Sequence, residues 1–305
     1  MTECERLINE GLFHKDFLNE EVRDDFKIDS KRKKIWMVTL DLLIKFDQVC
    51  RKHGLRYYLF YGSLLGAIRH KGFIPWDDDI DVLMPRKDVE KLILLGDEFT
   101  PPYYLMSPYT EEGFFYSFPK LCNANTTCFT KVFAYQPYHQ GINLDIFVMD
   151  NVVPSDFLED YERIGMLAYE NSTYMRKSYP YLNDKDLERV KKHSGRAPLE
   201  VYEEIQNIAK KHINDATGWV SAETITAYNA KKNLFPSKWF EESVDVDFEG
   251  FKFFAPKHYE EILETIYGDW EKFPPIEERG KWHSYANIDA DVPYKEFKKR
   301  YQSFL

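Results

Sequence analysis

Between Trp76 and Val82 the sequence reads Trp-Asp-Asp-Asp-Ile-Asp-Val, four carboxylates within five residues bracketed by apolar side chains. An extended backbone from Asp79 to Val82 sends alternate side chains to opposite faces. Asp77, Asp79 and Asp81 then share one side while Ile80 and Val82 point into a core. Three carboxylates on one face repel one another unless a cation lies between them, and an all-oxygen set suits a hard ion, Mg2+ or Mn2+. The chemistry such a trio supports is that of phosphate groups. Two plainer explanations compete. An acidic run is commonly a solvated turn, and Asp77-x-Asp79-x-Asp81 with Asp88 at the twelfth place imitates a calcium loop. That loop requires Gly at its sixth position, where Val82 stands.

The elements that must position these carboxylates lie just upstream. Tyr57 to Tyr61 is aromatic-rich and strand-like. Gly62-Ser63 then opens a short helical segment, Leu64 to Arg69. A small-residue turn at a helix start presents free backbone N–H groups, and a glycine lets a phosphate approach closely. Strand, Gly-Ser turn, helix, and then a strand bearing Asp-x-Asp is the arrangement of nucleotidyltransferases, with the turn gripping phosphates and the aspartates holding metal. Gly-Ser alone is a weak signal; its pairing with the aspartates is the informative feature.

A coarse pass predicts a helix from Asp29 or Ser30 to His53, stopped by Gly54, with Ile35, Trp36, Leu42, Leu43, Phe46, Val49 and Cys50 facing a core. Strand 56–61, helix 63–70, strand 79–84 and helix 86–98 follow. Further strands are expected near 103–106, 114–122, 126–134 and 142–149. Pro154 marks a boundary, after which 155–180 and 199–216 read as helices around a charged loop, Asn183 to Arg196. A hairpin at 244–255 turning at Glu249-Gly250 precedes helix 257–267. The expected fold class is α+β, a nucleotidyltransferase-like mixed sheet core with a helical C-terminal half. The expected division is an N-terminal lead 1–28, a catalytic core 29–153, and a helical subdomain with a closing segment over 154–305.

The run YYLFYGSLLGAIRHKGFIPWDDDIDVLMPRKDVEKL resembles the signature of the LicD family, which includes the fukutin-related proteins. SFPKLCNANTT (117–127) resembles a second family block and GINLDIFVMD (141–150) its second acidic strand. DFEGFKFFAPKHYEEILETIYGDWEKFPP (247–275) is similar to its C-terminal block. The resemblance thins between 155 and 225. It departs at Tyr61, where members often carry a second glycine, which narrows the phosphate pocket but leaves Gly62-Ser63 intact. The resemblance implies a phosphotransferase on a nucleotidyltransferase fold. It moves a substituted phosphate such as phosphocholine from a CDP-linked donor to a hydroxyl of a glycan or lipid-linked glycan (teichoic acid, lipopolysaccharide or capsule), and CMP leaves. The same motifs would serve a nucleotidyltransferase that attacks CTP and releases pyrophosphate, or a silent binding protein that keeps the fold.

Individual side chains then take candidate roles. Asp79 and Asp81 are the expected metal ligands; Asp77 ligates directly, through water, or caps the strand. Asp145 sits in a strand with Leu144, Ile146 and Val148 on the opposite face. An unpaired buried carboxylate is costly, so a metal or an acceptor hydroxyl is its natural partner, as third ligand or general base. Lys120 is placed to neutralise a departing phosphate or to form a structural ion pair. Arg69, His70 and Lys71, between the Gly-Ser helix and the aspartates, suit a diphosphate. Trp76 is expected beneath the acidic loop. Arg279, Lys281, Trp282 and His283 form a basic-aromatic cluster, and the family resemblance has this region close over the site.

Composition bounds the rest. The 305-residue chain is 16% aromatic, with 23 Phe and 21 Tyr, which argues for filled cores and against disorder. A net charge of −10 disfavours nucleic acid as partner while allowing a nucleotide neutralised by metal. Cys4, Cys50, Cys122 and Cys128 show no zinc spacing and fit reduced thiols. With no signal-like N-terminus and no long apolar run, the expectation is a cytoplasmic protein. Lys31-Arg32-Lys33-Lys34 reads as a solvated helix start, the alternative being a peripheral contact with the inner face of a membrane.

Overall fold

A mixed sheet built from both halves of the chain organises the computed structural model, which describes residues 1–179, 182–192, 195–222, 232–280 and 287–303. The first half supplies α1 (Glu3–Asn9), the small hairpin β1 (Glu21–Arg23) and β2 (Phe26–Ile28), and the long α2 (Ser30–His53). It continues with β3 (Tyr58–Leu59), α3 (Tyr61–His70), β4 (Asp81–Pro85), α4 (Arg86–Leu94), β5 (Tyr103–Met106), β6 (Lys120–Asn123), β7 (Thr127–Phe129) and β8 (Ile142–Asn151). The second half adds α5 (Pro154–Arg176), α6 (Asp184–Lys192), α7 (Pro198–Ala209), β9 (Trp219–Ala222) and β10 (Leu234–Pro236). The hairpin β11 (Ser243–Phe248) and β12 (Phe251–Pro256), α8 (Tyr259–Tyr267), β13 (Asn287–Asp289) and α9 (Tyr294–Ser303) complete it.

Local signals account for the framing helix. Asp29 caps α2 by accepting from the Arg32 N–H at 2.8 Å, and Gly54 ends it in the left-handed region at φ 63°. Its apolar stripe, Trp36 to Cys50, is buried in the main core together with Leu7 and Ile28 from the N-terminal segment. The basic start of α2 is largely consumed inside the protein. Arg32 donates to the Asp77 carbonyl at 2.9 Å, Lys33 pairs with Glu21 at 2.6 Å, and Lys34 pairs with Asp291 at 2.5 Å.

β8 is the central strand. β4 runs parallel to it, β6 runs antiparallel along its first part, and β9 antiparallel at its end, giving the order β10-β9-β8-β4-β3 with β5-β6 joined through β8. Its strict alternation of buried and half-buried residues sends Leu144, Ile146 and Val148 into the core and leaves Asn143, Asp145 and Phe147 on the working face. The hairpin β11–β12 turns at Glu249 (φ 49°) and Gly250 (φ 84°), as the sequence predicts.

Four expectations shift. The strand at 79–84 begins only at Asp81, so Asp77 and Asp79 lie on an irregular loop and not on the alternating strand. The expected strand 56–61 shrinks to two residues because the helix already begins at Tyr61. The expected strands over 114–122 and 126–134 shorten to β6 and β7. The stretch Asn183 to Arg196 contains α6, a charged helix docked on α5 by the Arg176–Asp186 pair at 3.5 Å. Among the described residues no helix is long and apolar enough to cross a membrane, and the four cysteines are buried and unbridged.

Candidate active site

The β-sheet register assembles the polar centre. Asp81 on β4 stands directly beside Asp145 on β8, and Lys120 on β6 stands beside Asp145 from the other edge. Lys120 Nζ lies 2.8 Å from Asp145 Oδ1 and donates to Asn143 Oδ1 at 3.2 Å, with the Tyr116 ring 4.1 Å beneath it. Burial works against the Lys120 charge, but Asp145 more than compensates and holds the ammonium above its usual range. The ion pair that the sequence left open as an alternative for Lys120 is therefore formed, and it is formed with a candidate catalytic carboxylate.

Asp77 and Asp79 approach from the loop. The Asp77 carbonyl is held by two donors, Arg32 Nη1 at 2.9 Å and Trp36 Nε1 at 2.8 Å. Neither residue is marked by any motif, and both are separated from Asp77 by some forty positions, so sequence patterning does not reveal them. A second buttress is Glu249 at the hairpin tip, which accepts from the Phe73 N–H at 3.2 Å and pairs with Arg23 at 2.5 Å. Trp76 packs edge-on to Phe26 and Phe273, supporting the loop as anticipated.

The Gly-Ser turn meets this loop. α3 opens without a side-chain cap, and the Ser63 and Leu64 N–H groups donate to the Phe60 carbonyl at 3.0 and 3.2 Å. A Cβ on Gly62 would sit 2.9 Å from Asp77 Oδ2, so only glycine permits the carboxylate to lie against the helix start. Ser63 is buried, and its Oγ accepts from the Asp81 N–H at 2.8 Å, tying the turn to β4 while leaving its own proton to donate. Tyr61 adopts φ 43°, a left-handed conformation costly for a residue with a Cβ and free of strain only for glycine. Its ring packs edge-on to Phe147 and its hydroxyl donates to Asn233 Oδ1 at 2.5 Å.

Electrostatics mark Asp79 and Asp81. Both carboxyls are pushed well above the usual range, first by desolvation and then by their neighbours, Asp77, Asp81 and Asp145 for Asp79, Asp145 and Asp77 for Asp81. Water still reaches one side of each, since both are only half-buried. Tyr267, ending α8, senses the same cluster: after desolvation, the charges of Asp81, Asp77 and Asp79 raise its phenol. It was not anticipated from the sequence.

The basic candidates separate. Arg69 donates to the Trp270 carbonyl at 2.7 Å and to His70 Nε2 at 2.9 Å, over the Phe273 ring. Among the described residues it has no carboxylate within ion-pair reach, and burial lowers its pKa. His70 bonds Asp24 through Nδ1 at 2.8 Å; burial and then Arg69 push it down, which favours the neutral ring. Arg279 reaches over Trp76 at 4.6 Å and donates to the Asp24 carbonyl at 2.7 Å. Lys71 caps the end of α3 in an exposed position. His283, with Lys281 and Trp282, lies outside the described residues.

The donor set fits a hard cation in kind: every candidate ligand is a carboxylate oxygen, and burial together with mutual repulsion raises Asp79 and Asp81. Among the described residues no three such side chains are already drawn around one point.

A strand, an uncapped helix start and a second acidic strand set beside the first define an enzyme that handles phosphate groups on a nucleotidyltransferase-type sheet. Comparison with known proteins agrees. Residues 54–151 match the LicD/FKTN/FKRP nucleotidyltransferase domain. The chain is similar to the lipopolysaccharide cholinephosphotransferase LicD of Haemophilus influenzae, 27% identical over 81% of this chain and 94% of that protein. A short segment, 12% of this chain and 7% of the partner, is 56% identical to the ribitol 5-phosphate transferases FKRP of mouse and human. Residues 54–151 thus carry a domain of the LicD/FKTN/FKRP type, and the chain is a transferase of phosphorus-containing groups.

Proposed function

We propose that this protein transfers a substituted phosphate, phosphocholine or a group of that kind, from a CDP-linked donor to a hydroxyl of a cell-surface glycan, with divalent metal and release of CMP. The observation that carries the reading is the register of Asp81, Asp145 and Lys120 on three adjacent strands, facing the uncapped start of α3. The similarity to a lipopolysaccharide cholinephosphotransferase supports the choice of group and acceptor.

Each residue has work in this reading. Asp79 and Asp81, with Asp77, would hold Mg2+ or Mn2+. The bound ion would neutralise phosphate oxygens that gain charge as the phosphoester bond breaks. The Ser63 hydroxyl would donate to the donor's phosphates, which the Gly62 turn lets approach closely. Arg69, which among the described residues has no carboxylate within ion-pair reach, would supply a cation to the donor's diphosphate. Asp145, paired with Lys120 at 2.8 Å, would orient the acceptor hydroxyl and receive its proton. Lys120 then balances the carboxylate and the phosphate in turn. Positioning and charge neutralisation supply most of the rate, because a loose transition state needs little covalent help.

The test is product identity. Purified protein is offered CDP-choline, CDP-ethanolamine, CDP-glycerol, CDP-ribitol or CTP, with and without Mg2+, and a glycan acceptor. CMP formation from one CDP-linked compound, dependent on Mg2+ and acceptor, supports the proposal. Pyrophosphate from CTP, or CMP formation indifferent to Mg2+, overturns it.

A further inference from the structure

Beside Lys120 lies a small cleft that opens to solvent. Its walls are the rings of Tyr116, Phe133 and Tyr138, and Lys120 and Asn143 stand at the edge it shares with the carboxylates. Asn143 precedes Asp145 by two residues on the same face of β8, a separation of roughly 7 Å. A group in the cleft therefore lies next to the Lys120–Asp145 pair.

Two residues lining the cleft, Gln140 and Thr130, each carry a buried oxygen without a hydrogen-bond partner among the described residues, Oε1 and Oγ1. Gln140 is 3% exposed, and its orientation is set, since Nε2 donates to the Phe133 carbonyl at 2.7 Å and so turns the oxygen away from that bond. A buried amide oxygen left without a donor is costly, and native proteins keep such groups for a ligand or a water. Aromatic walls favour a flat ring. A quaternary ammonium offers an amide oxygen no N–H and would meet the Lys120 charge at the edge.

We infer that this cleft binds the base of the nucleotide donor, with Gln140 Oε1 accepting from the exocyclic amine of cytosine and Thr130 donating to the adjacent ring nitrogen. The inference rests on the CDP-linked donor proposed above. Uracil presents an oxygen where cytosine carries the amine, so Gln140 would face it oxygen to oxygen. Gln140 and Thr130 are thus specificity residues that lie outside the acidic motif.

The experiment measures dissociation constants of CMP and UMP by calorimetry for the full chain, for Gln140→Leu and for Thr130→Val, alongside each melting temperature. The wild type is expected to favour CMP by about tenfold or more, the scale of one buried hydrogen bond. Both variants are expected to bring the ratio near unity while melting within a few degrees of wild type. A preserved ratio in the folded variants overturns the base assignment and leaves the CDP donor standing. Equal binding of CMP and UMP by the wild type overturns it as well. Failure of the wild type to bind either CMP or CDP-choline overturns the donor reading itself. Should Gln140→Leu not fold, Thr130→Val decides, together with hydrogen exchange of residues 128–143 in the wild type, which CMP is expected to protect.

Discussion

Replacing Asp81 with Asn separates the cost of the site from its use. Asp81 and Asp145 are register neighbours on parallel strands, and adjacent strands lie about 4.8 Å apart. Two unit charges about 5 Å apart repel by roughly 1 kcal/mol at the dielectric of water and roughly 3 kcal/mol at an effective value of about 20. Lys120 compensates Asp145 first, at 2.8 Å, which leaves Asp81 the less compensated of the two. Asp81→Asn is therefore expected to stabilise the metal-free protein by about 1–3 kcal/mol, a rise of about 2–6 °C in melting temperature for a chain this long. The gain should grow with pH. Wild-type Asp81, whose pKa is raised, must lose a proton that the unfolded chain has already lost, whereas Asn has none to lose. The same variant should lose Mg2+-dependent stabilisation and at least about a hundredfold in turnover. Thermal melts in EDTA and in Mg2+ at pH 6 and pH 8.5, with CMP release at each, provide the readout. An Asn variant that melts below wild type in EDTA at pH 8.5 would refute the conflict of charges. One that keeps turnover within a few-fold would remove Asp81 from the site.

Three further outcomes are expected. Lys120→Met leaves Asp145 without its counter-charge and should cost about 3 kcal/mol; adding Asp145→Asn should restore most of the stability but no turnover, and restored turnover in the double variant would count against both roles. Arg32→Gln and Trp36→Phe each release the Asp77 carbonyl, so kcat should fall with little change in KM for the donor and a stability loss of about 1 kcal/mol; unchanged kcat in both would show that the clamp does not position the loop. In EDTA, stability should fall as pH rises from the ordinary carboxylate range through the raised pKa values of Asp79 and Asp81, because the native state holds protons that the unfolded state has released. Asp41, raised by burial to about 7, adds a fall of the same sign away from the site; Asp41→Asn removes that share, and Mg2+ should flatten what remains, whereas a Mg2+-insensitive profile in Asp41→Asn would argue against carboxylate repulsion as its origin.

The molecule's local signals were legible because each acts within a few residues. Asp29 and Gly54 bound α2 where cap chemistry places them, and Glu249-Gly250 turns the hairpin through positive φ. Alternation along 142–149 correctly turns Asp145 away from the core. The same rule misled at Asp79, since alternation requires a strand and the pairing of β4 begins only at Asp81. The charged stretch at 183–196 hid a helix because its stability comes from docking on α5, which its own composition does not announce.

By itself, then, the sequence determined which chemical groups are present and which short segments carry them: an acidic loop, a Gly-Ser helix start, a second acidic strand and a family signature. The tertiary structure decided what those groups face. It set Asp81 against Asp145 and gave Lys120 to Asp145. It turned the basic start of α2 inward to hold Asp77, and it placed Tyr267 and Gln140 around the site. Caps, turns and alternation are short-range effects of backbone sterics, written in neighbouring residues. Strand register and side-chain partnership between distant segments follow from how the whole core packs, and no local pattern encodes them.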